Sequence, residues 1–396
     1  MPNTLPIRIF FLNSLVIFIL MACQTPHPEK KILNLEKITQ SSDSFGTSPI
    51  LPTQISENYS YVLFDPDSNQ VLDSHQPERM SIPASTSKIP SSIAALEILG
   101  PQYRFKTSLH LKGVLRHGVL QGDLFLKGTG DPMLKTPHLM SLAQALETKG
   151  IRKITGKFYY DESYFKSQVA IEEDREPWAP YNSGLSALSV NFNQINVRWM
   201  PDALRERHFI YSTPSFPFVQ FQPLFRKTSR ETQFLYRDEL PLDNEAMEQW
   251  LLADAEVKGG HDRLPLKNPA RATAHLFTTL CEMNGLTLPV PQKKSVPADA
   301  EWITAHESPP LVEIVEGLLE YSNNVTTELV QMAAARHLVR RAVNSPESAQ
   351  VLGNWTLQNI LLPGIRHSGS QRCRCAGALA KWLVPARPPA CHLESP

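Results

Sequence analysis

Neither sign of charge is in surplus: 39 Lys and Arg face 39 Asp and Glu over 396 residues. No long block of like charge gathers anywhere along the chain, so nothing here would concentrate a polyanion, and nucleic acid is excluded as a partner. Cysteine is scarce through most of the length. Cys23 and Cys281 are the only two before Ser370, and Cys373, Cys375 and Cys391 follow it. No His or Cys set with zinc spacing accompanies them, so no metal and no other cofactor is expected. Cys281 is expected to be a buried lone thiol. The apolar run at the N-terminus, Ile9 to Ala22, has fourteen residues, too few for the ~20 of a spanning helix. No internal repeat is found.

That run follows Arg8 and ends in Leu20-Met21-Ala22-Cys23. It fits the apolar region of an export signal, and its ending resembles a bacterial lipobox, with cleavage before Cys23 and lipid on that residue. Residues 1–22 are therefore expected to be a lipoprotein signal peptide. Residues 23–55, polar with several prolines and serines, read as a tether. The expected location is the periplasm, anchored by lipid to a bacterial membrane, and Gln24 hints at the outer one. The chain is long enough for two lobes or for one domain with an insertion. Its 33 prolines favour short elements and many loops, while 42% hydrophobic residues mark a globular chain.

Ser85 and Lys88 stand three residues apart in SIPASTSKIP, at the start of an apolar helix pattern with Ile89, Ile93, Leu96 and Leu99. A serine hydroxyl is a poor nucleophile until a base takes its proton. A lysine one helical turn away can be that base if burial lowers its pKa, and the Ser85 N–H near a helix N-terminus can face an oxyanion. Ser163 and Lys166 share the spacing and read as a surface coincidence. A second group, Ser322 and Asn324, follows the helix-like run PPLVEIVEGLLE. In a loop between two helices, Ser322 could relay a proton to a leaving amine and Asn324 could bind substrate amide and orient Lys88.

Around these motifs a hairpin is expected at 59–64 and 70–74, with helices near 86–99, 139–146, 271–284, 310–320 and 325–343. Strand-like pieces such as FYYD, INVRWM and HFIYST lie between. Ser85 and Ser322 are 237 residues apart, more than an acyl-transfer domain needs between its first two motifs. Something must be inserted.

PASTSK, the hairpin before it, GDLFLKGTGDPML, YNSGLSALSVNFN and SPPLVEIVEGLLEYSNN with Glu328 after it occur in this order. Together, over about residues 59–369, they resemble the class C low-molecular-mass penicillin-binding proteins, the D-alanyl-D-alanine carboxypeptidases and endopeptidases. The resemblance implies an α/β (α+β) fold: a penicillin-recognising, serine transpeptidase/β-lactamase-like domain over 56–112 and 263–370, with a β-rich inserted lobe over 113–262. It also implies peptidoglycan stem peptides as substrate, β-lactams as covalent inhibitors, and Ser85, Lys88 and Ser322 as catalytic residues with Asn324 binding substrate. The Gly122-Asp123 and Gly130-Asp131-Pro132 elements are read as architecture.

The sequence departs from the family at its end. A third motif, Lys-Thr-Gly on a core strand, is not found, and His367-Ser368-Gly369 comes too early to replace it. Residues 371–396 are expected to be an aberrant, unstructured tail of a truncated or frameshifted domain, with activity weakened or lost. Two other readings stay open, a non-catalytic peptidoglycan-binding lipoprotein and a serine esterase or β-lactamase-like hydrolase. The lipobox reading predicts that cells expressing the chain incorporate labelled palmitate into it and that Cys23→Ser removes the label; palmitate retained by the variant would contradict it.

Overall fold

A computed structural model describes residues 59–361, apart from 66, 69, 78–82, 203–206, 216–218, 225–233, 238–247 and 254–258. The expected signal peptide, the lipidation site Cys23, the tether and the expected tail at 371–396 lie outside the described residues. The chain divides into two units, 1–82 and 83–396. In the first, β1 (Tyr61–Asp65) and β2 (Gln70–His75) form an antiparallel hairpin. Asp65 closes its turn by accepting from the Asp67 N–H at 3.0 Å and the Ser68 hydroxyl at 2.6 Å, as the DPDSN composition leads one to expect.

The second unit opens with a tight turn at Ala84–Ser87 and α1 (Lys88–Leu99). Next come β3 (Lys106–Arg116), β4 (Val119–Gly128), α2 (Thr136–Thr148), β5 (Lys153–Ile154) and β6 (Phe158–Asp161). Then follow β7 (Gln194–Asp202), β8 (Arg207–Thr213), β9 (Val219–Leu224), β10 (Phe234–Arg237), β11 (Glu248–Ala253) and β12 (Gly260–Pro265). The described residues continue through α3 (Pro269–Met283), β13 (Gln292–Lys293), β14 (Glu301–Glu307), α4 (Leu311–Tyr321), α5 (Asn324–Val339) and α6 (Ser345–Thr356).

One sheet runs β13-β6-β4-β3-β14 with β5 also on β4, and two three-stranded sheets run β12-β7-β8 and β10-β11-β9. The large sheet crosses both expected boundaries of the insert. β3 pairs with β4 without a break from Thr107↔Gly128 to Arg116↔Val119, so it cannot be divided at residue 112. From beyond residue 263, β14 adds to β3 and β13 to β6. At the Gly113↔Gly122 pair a side chain is impossible: a Cβ on Gly122 would stand 2.1 Å from the Lys112 carbonyl oxygen. That steric need explains Gly122 without any catalytic role.

Two apolar cores result. One lies between the sheets and helices α2 and α3, with Phe158 and Phe277 fully buried and Cys281 a free, buried thiol within it. The other joins α1, α4, α5 and α6 with Phe105, Phe165, Leu185 and Ala187. YNSGLSALSVNFN connects the two as a buried polar knot. Asn193 donates to the Gly184 carbonyl at 2.8 Å and the Ser189 hydroxyl at 3.2 Å, and Asn191, Phe192 and Asn193 all hold positive φ.

In the helical core the expected apolar stripe of α1 holds at Leu96 and Leu99, which pack against the core, and is corrected at its first two positions. Ile89 and Ile93 are 38% and 42% exposed, while Lys88, Ser91, Ser92, Ala94 and Ala95 are buried. α1 packs on α5, where Ala333, Ala334 and Ala335 are buried in turn. Small residues on both sides let the helix backbones approach closely, and that contact rather than the larger isoleucines selects the inner face. α5 stops at Arg340 in the left-handed region rather than continuing to Val343. The unforeseen α6 starts at a capping box, Asn344 accepting from the Glu347 N–H at 2.9 Å with Pro346 in the first turn.

Candidate active site

Ser85 sits in the turn ahead of α1 because the PASTSK hydroxyls fold the chain there. Thr86 donates its N–H and its hydroxyl to the Pro83 carbonyl, and the Ser87 hydroxyl donates to the Ala84 carbonyl at 2.8 Å. Ala84 itself is held at φ +45°, strain that the turn must compensate. The turn leads straight into Lys88, the first residue of α1, only 7% exposed.

The second motif is a two-residue link rather than the expected loop through Asn324. Ser322 caps α4 in the left-handed conformation, φ 54°. Asn323 caps the start of α5, its Oδ1 accepting from the Thr326 N–H at 2.9 Å. Asn324 is thus already helical, and its side chain points back to α1. Adjacent asparagines have different tasks, one capping the helix and one facing the lysine amine.

All four predicted residues meet at the lysine amine. Lys88 Nζ lies 3.2 Å from Ser85 Oγ, 2.8 Å from the Ser322 carbonyl oxygen, 2.9 Å from Ser322 Oγ and 2.8 Å from Asn324 Oδ1. The Ser322 and Ser85 hydroxyls are 3.0 Å apart. Four oxygens exceed what an ammonium can serve, since it has three N–H donors. The Ser322 carbonyl and Asn324 Oδ1 can only accept. A neutral Lys88 spends its two N–H bonds on them, which turns its lone pair toward the two hydroxyls. That is the arrangement a base needs to take a proton from Ser85.

The charge state follows from the surroundings. Burial holds Lys88 below the ordinary lysine value of 10.5, and the Glu328 carboxylate opposes this by pulling it upward. Glu328 on α5 was visible in the sequence only as part of the resemblance. Its spacing, four residues after Asn324, is the signal that would place it on the same helix face. The coincidental pair behaves as expected: Lys166 binds Glu347 Oε1 at 2.7 Å, far in role from any nucleophile. His367-Ser368-Gly369 lies outside the described residues.

Comparison with known proteins bears on the same segments. The model of the D-Ala-D-Ala carboxypeptidase 3 (S13) family matches residues 50–360. The chain belongs to that family. It is 26% identical over 330 residues to the D-alanyl-D-alanine carboxypeptidase DacB of Haemophilus influenzae, covering 79% of this chain and 65% of that protein. To the D-alanyl-D-alanine carboxypeptidase of an Actinomadura species it is 25% identical over 312 residues, covering 75% of this chain and 57% of the other. The chain thus spans less than two thirds of the length of these curated relatives. The crystal structure of penicillin binding protein 4 from Haemophilus influenzae superposes with a TM-score of 0.61 at 23% identity, over 76% of this chain and 67% of that one. The chain therefore shares the α/β fold of that protein.

The division of labour between the two asparagines predicts separable effects. Asn323→Ala removes a helix cap and costs ~1 kcal/mol in urea unfolding, with the reactivity of Ser85 toward a β-lactam kept. Asn324→Ala removes an acceptor of the lysine amine and slows that acylation by about 10-fold to 100-fold, as loss of a hydrogen bond to a charged group would. Equal loss of reactivity in both variants would contradict the assignment.

Proposed function

We propose that the chain is a serine D-alanyl-D-alanine carboxypeptidase or endopeptidase acting on peptidoglycan stem peptides through an acyl-enzyme on Ser85. The ring of oxygens that joins Ser85, Lys88, Ser322 and Asn324 carries this reading. Ser85 Oγ attacks the carbonyl carbon of the penultimate D-Ala while Lys88 takes the hydroxyl proton. The oxyanion forms near the Ser85 N–H ahead of α1. Ser322, within 2.9 Å of Lys88 and 3.0 Å of Ser85, passes a proton to the leaving amine as the C–N bond breaks. Water then hydrolyses the ester and frees Ser85.

β-Lactams would acylate the same hydroxyl, but their leaving amine stays attached through the ring. The adduct therefore persists. Support for the substrate class comes from family membership and from the relatives named D-alanyl-D-alanine carboxypeptidase. The same reading includes an export signal and a lipid on Cys23 that would hold the domain at a bacterial membrane near its substrate, which the palmitate experiment above tests.

A second reading is a peptidoglycan-binding lipoprotein without turnover. Release of D-Ala from a stem-peptide analogue decides between them. We expect release that Ser85→Ala abolishes. No release from folded protein that still sediments with peptidoglycan would support the second reading, and rapid turnover of nitrocefin would point to a β-lactamase-like hydrolase.

A further inference from the structure

Lys88 Nζ meets only neutral oxygens at hydrogen-bonding distance. When it takes the Ser85 proton it becomes a buried cation, and a buried charge without a counter-charge is costly. One carboxylate is placed to meet that need. Glu328 lies one helical turn beyond Asn324 on α5, so its side chain leaves the same helix face as the amide touching Lys88.

That carboxylate is fixed in place from α6. Glu328 Oε2 accepts from the Ser345 hydroxyl at 2.6 Å, and Ser345 is itself anchored by its N–H on Gln168 Oε1 at 2.6 Å. α1 and α6 both pack against α5. The charged groups acting on Glu328 are Lys88 from α1 and Glu172 from the segment between β6 and β7. Burial is the largest influence and pushes the Glu328 carboxyl up, Ser345 and Lys88 hold it down, and Glu172 pushes it up further.

Resting on the acyl-enzyme reading, we propose that Glu328 is a positioning residue that balances the charge on Lys88, holding the ammonium that forms when Lys88 takes the Ser85 proton. Glu328 itself gains and loses no proton in the step. The Ser85 O–H bond breaks, its electron pair forms the new C–O bond, and the proton becomes the third N–H of Lys88. Two of the three N–H bonds stay on the Ser322 carbonyl and Asn324 Oδ1. The third faces the Ser322 hydroxyl, through which a proton reaches the leaving amine. Glu328 balances the charge at every stage between.

The test compares the full chain with E328Q and E328D by two readouts. The first is the pH dependence of acylation by a fluorescent penicillin. The neutral fraction of Lys88 rises with pH, so the rate climbs through the Lys88 pKa. Without the carboxylate, burial acts unopposed and the midpoint moves down by ~1 to 2 pH units, as expected for loss of a nearby opposite charge. The second readout is the titration of Lys88 itself by NMR of chain grown with lysine isotope-labelled at Cε, which leaves the amine unmodified, with the resonance assigned by Lys88→Arg. E328Q moves that midpoint down by the same amount. E328D keeps the charge on a shorter arm and moves it less in the same direction, which carries the test if E328Q does not fold. Midpoints that overlay the parent chain in both readouts would overturn the proposal. Absence of acylation in every chain, with a shifted Lys88 titration, would instead refute the acyl-enzyme reading and leave Glu328 as the charge partner of Lys88.

Discussion

The site depends on one buried amine. Lys88 brings together two chain segments 234 residues apart, and Ser85, Ser322 and Asn324 all lie within hydrogen-bonding distance of its Nζ. Burial removes the water that would keep the amine protonated, and two obligate acceptors take its remaining N–H bonds. What is left is a lone pair aimed at hydroxyls. Placing a lysine there costs stability, because in the pH range between its folded and unfolded pKa values the unfolded chain binds the extra proton. Stability contributed by this position therefore rises with pH through the lowered folded value. The fold carries that cost at the residue proposed to act as the base.

The scaffold serves this arrangement by close helix packing. α1 and α5 approach through serines and alanines, which leaves the lysine side chain little room to move. α6 and the polar knot around Asn193 brace them from behind, the first through Ser345 and Glu328, the second through Leu185 and Ala187 in the helical core. The sheets and the other core stand apart from the chemistry. Their part is to shape the chain between the two motifs.

Much of the site was legible in the sequence, because four of its residues sit in two short motifs. Ser85, Lys88, Ser322 and Asn324 all meet as expected. The helices at 269–283 and 311–321 agree with the periodicity within a residue or two. Four features were missed. The inner face of α1 is set by the partner helix, so small residues were buried in place of Ile89 and Ile93. The insert boundaries were misplaced because strand pairing is non-local, and nothing near residue 112 announces that β3 continues to Arg116. α6 was overlooked although Asn344, Pro346 and Glu347 mark its start. The separation of Asn323 from Asn324 could be resolved only once the helix boundary was known.

The most direct test of the account is peptide mass spectrometry of the folded chain after incubation with penicillin. The account predicts one added penicillin, on the peptide carrying Ser85. An adduct on any other residue, or none in a folded sample, would contradict the claim that Lys88 makes Ser85 a working nucleophile.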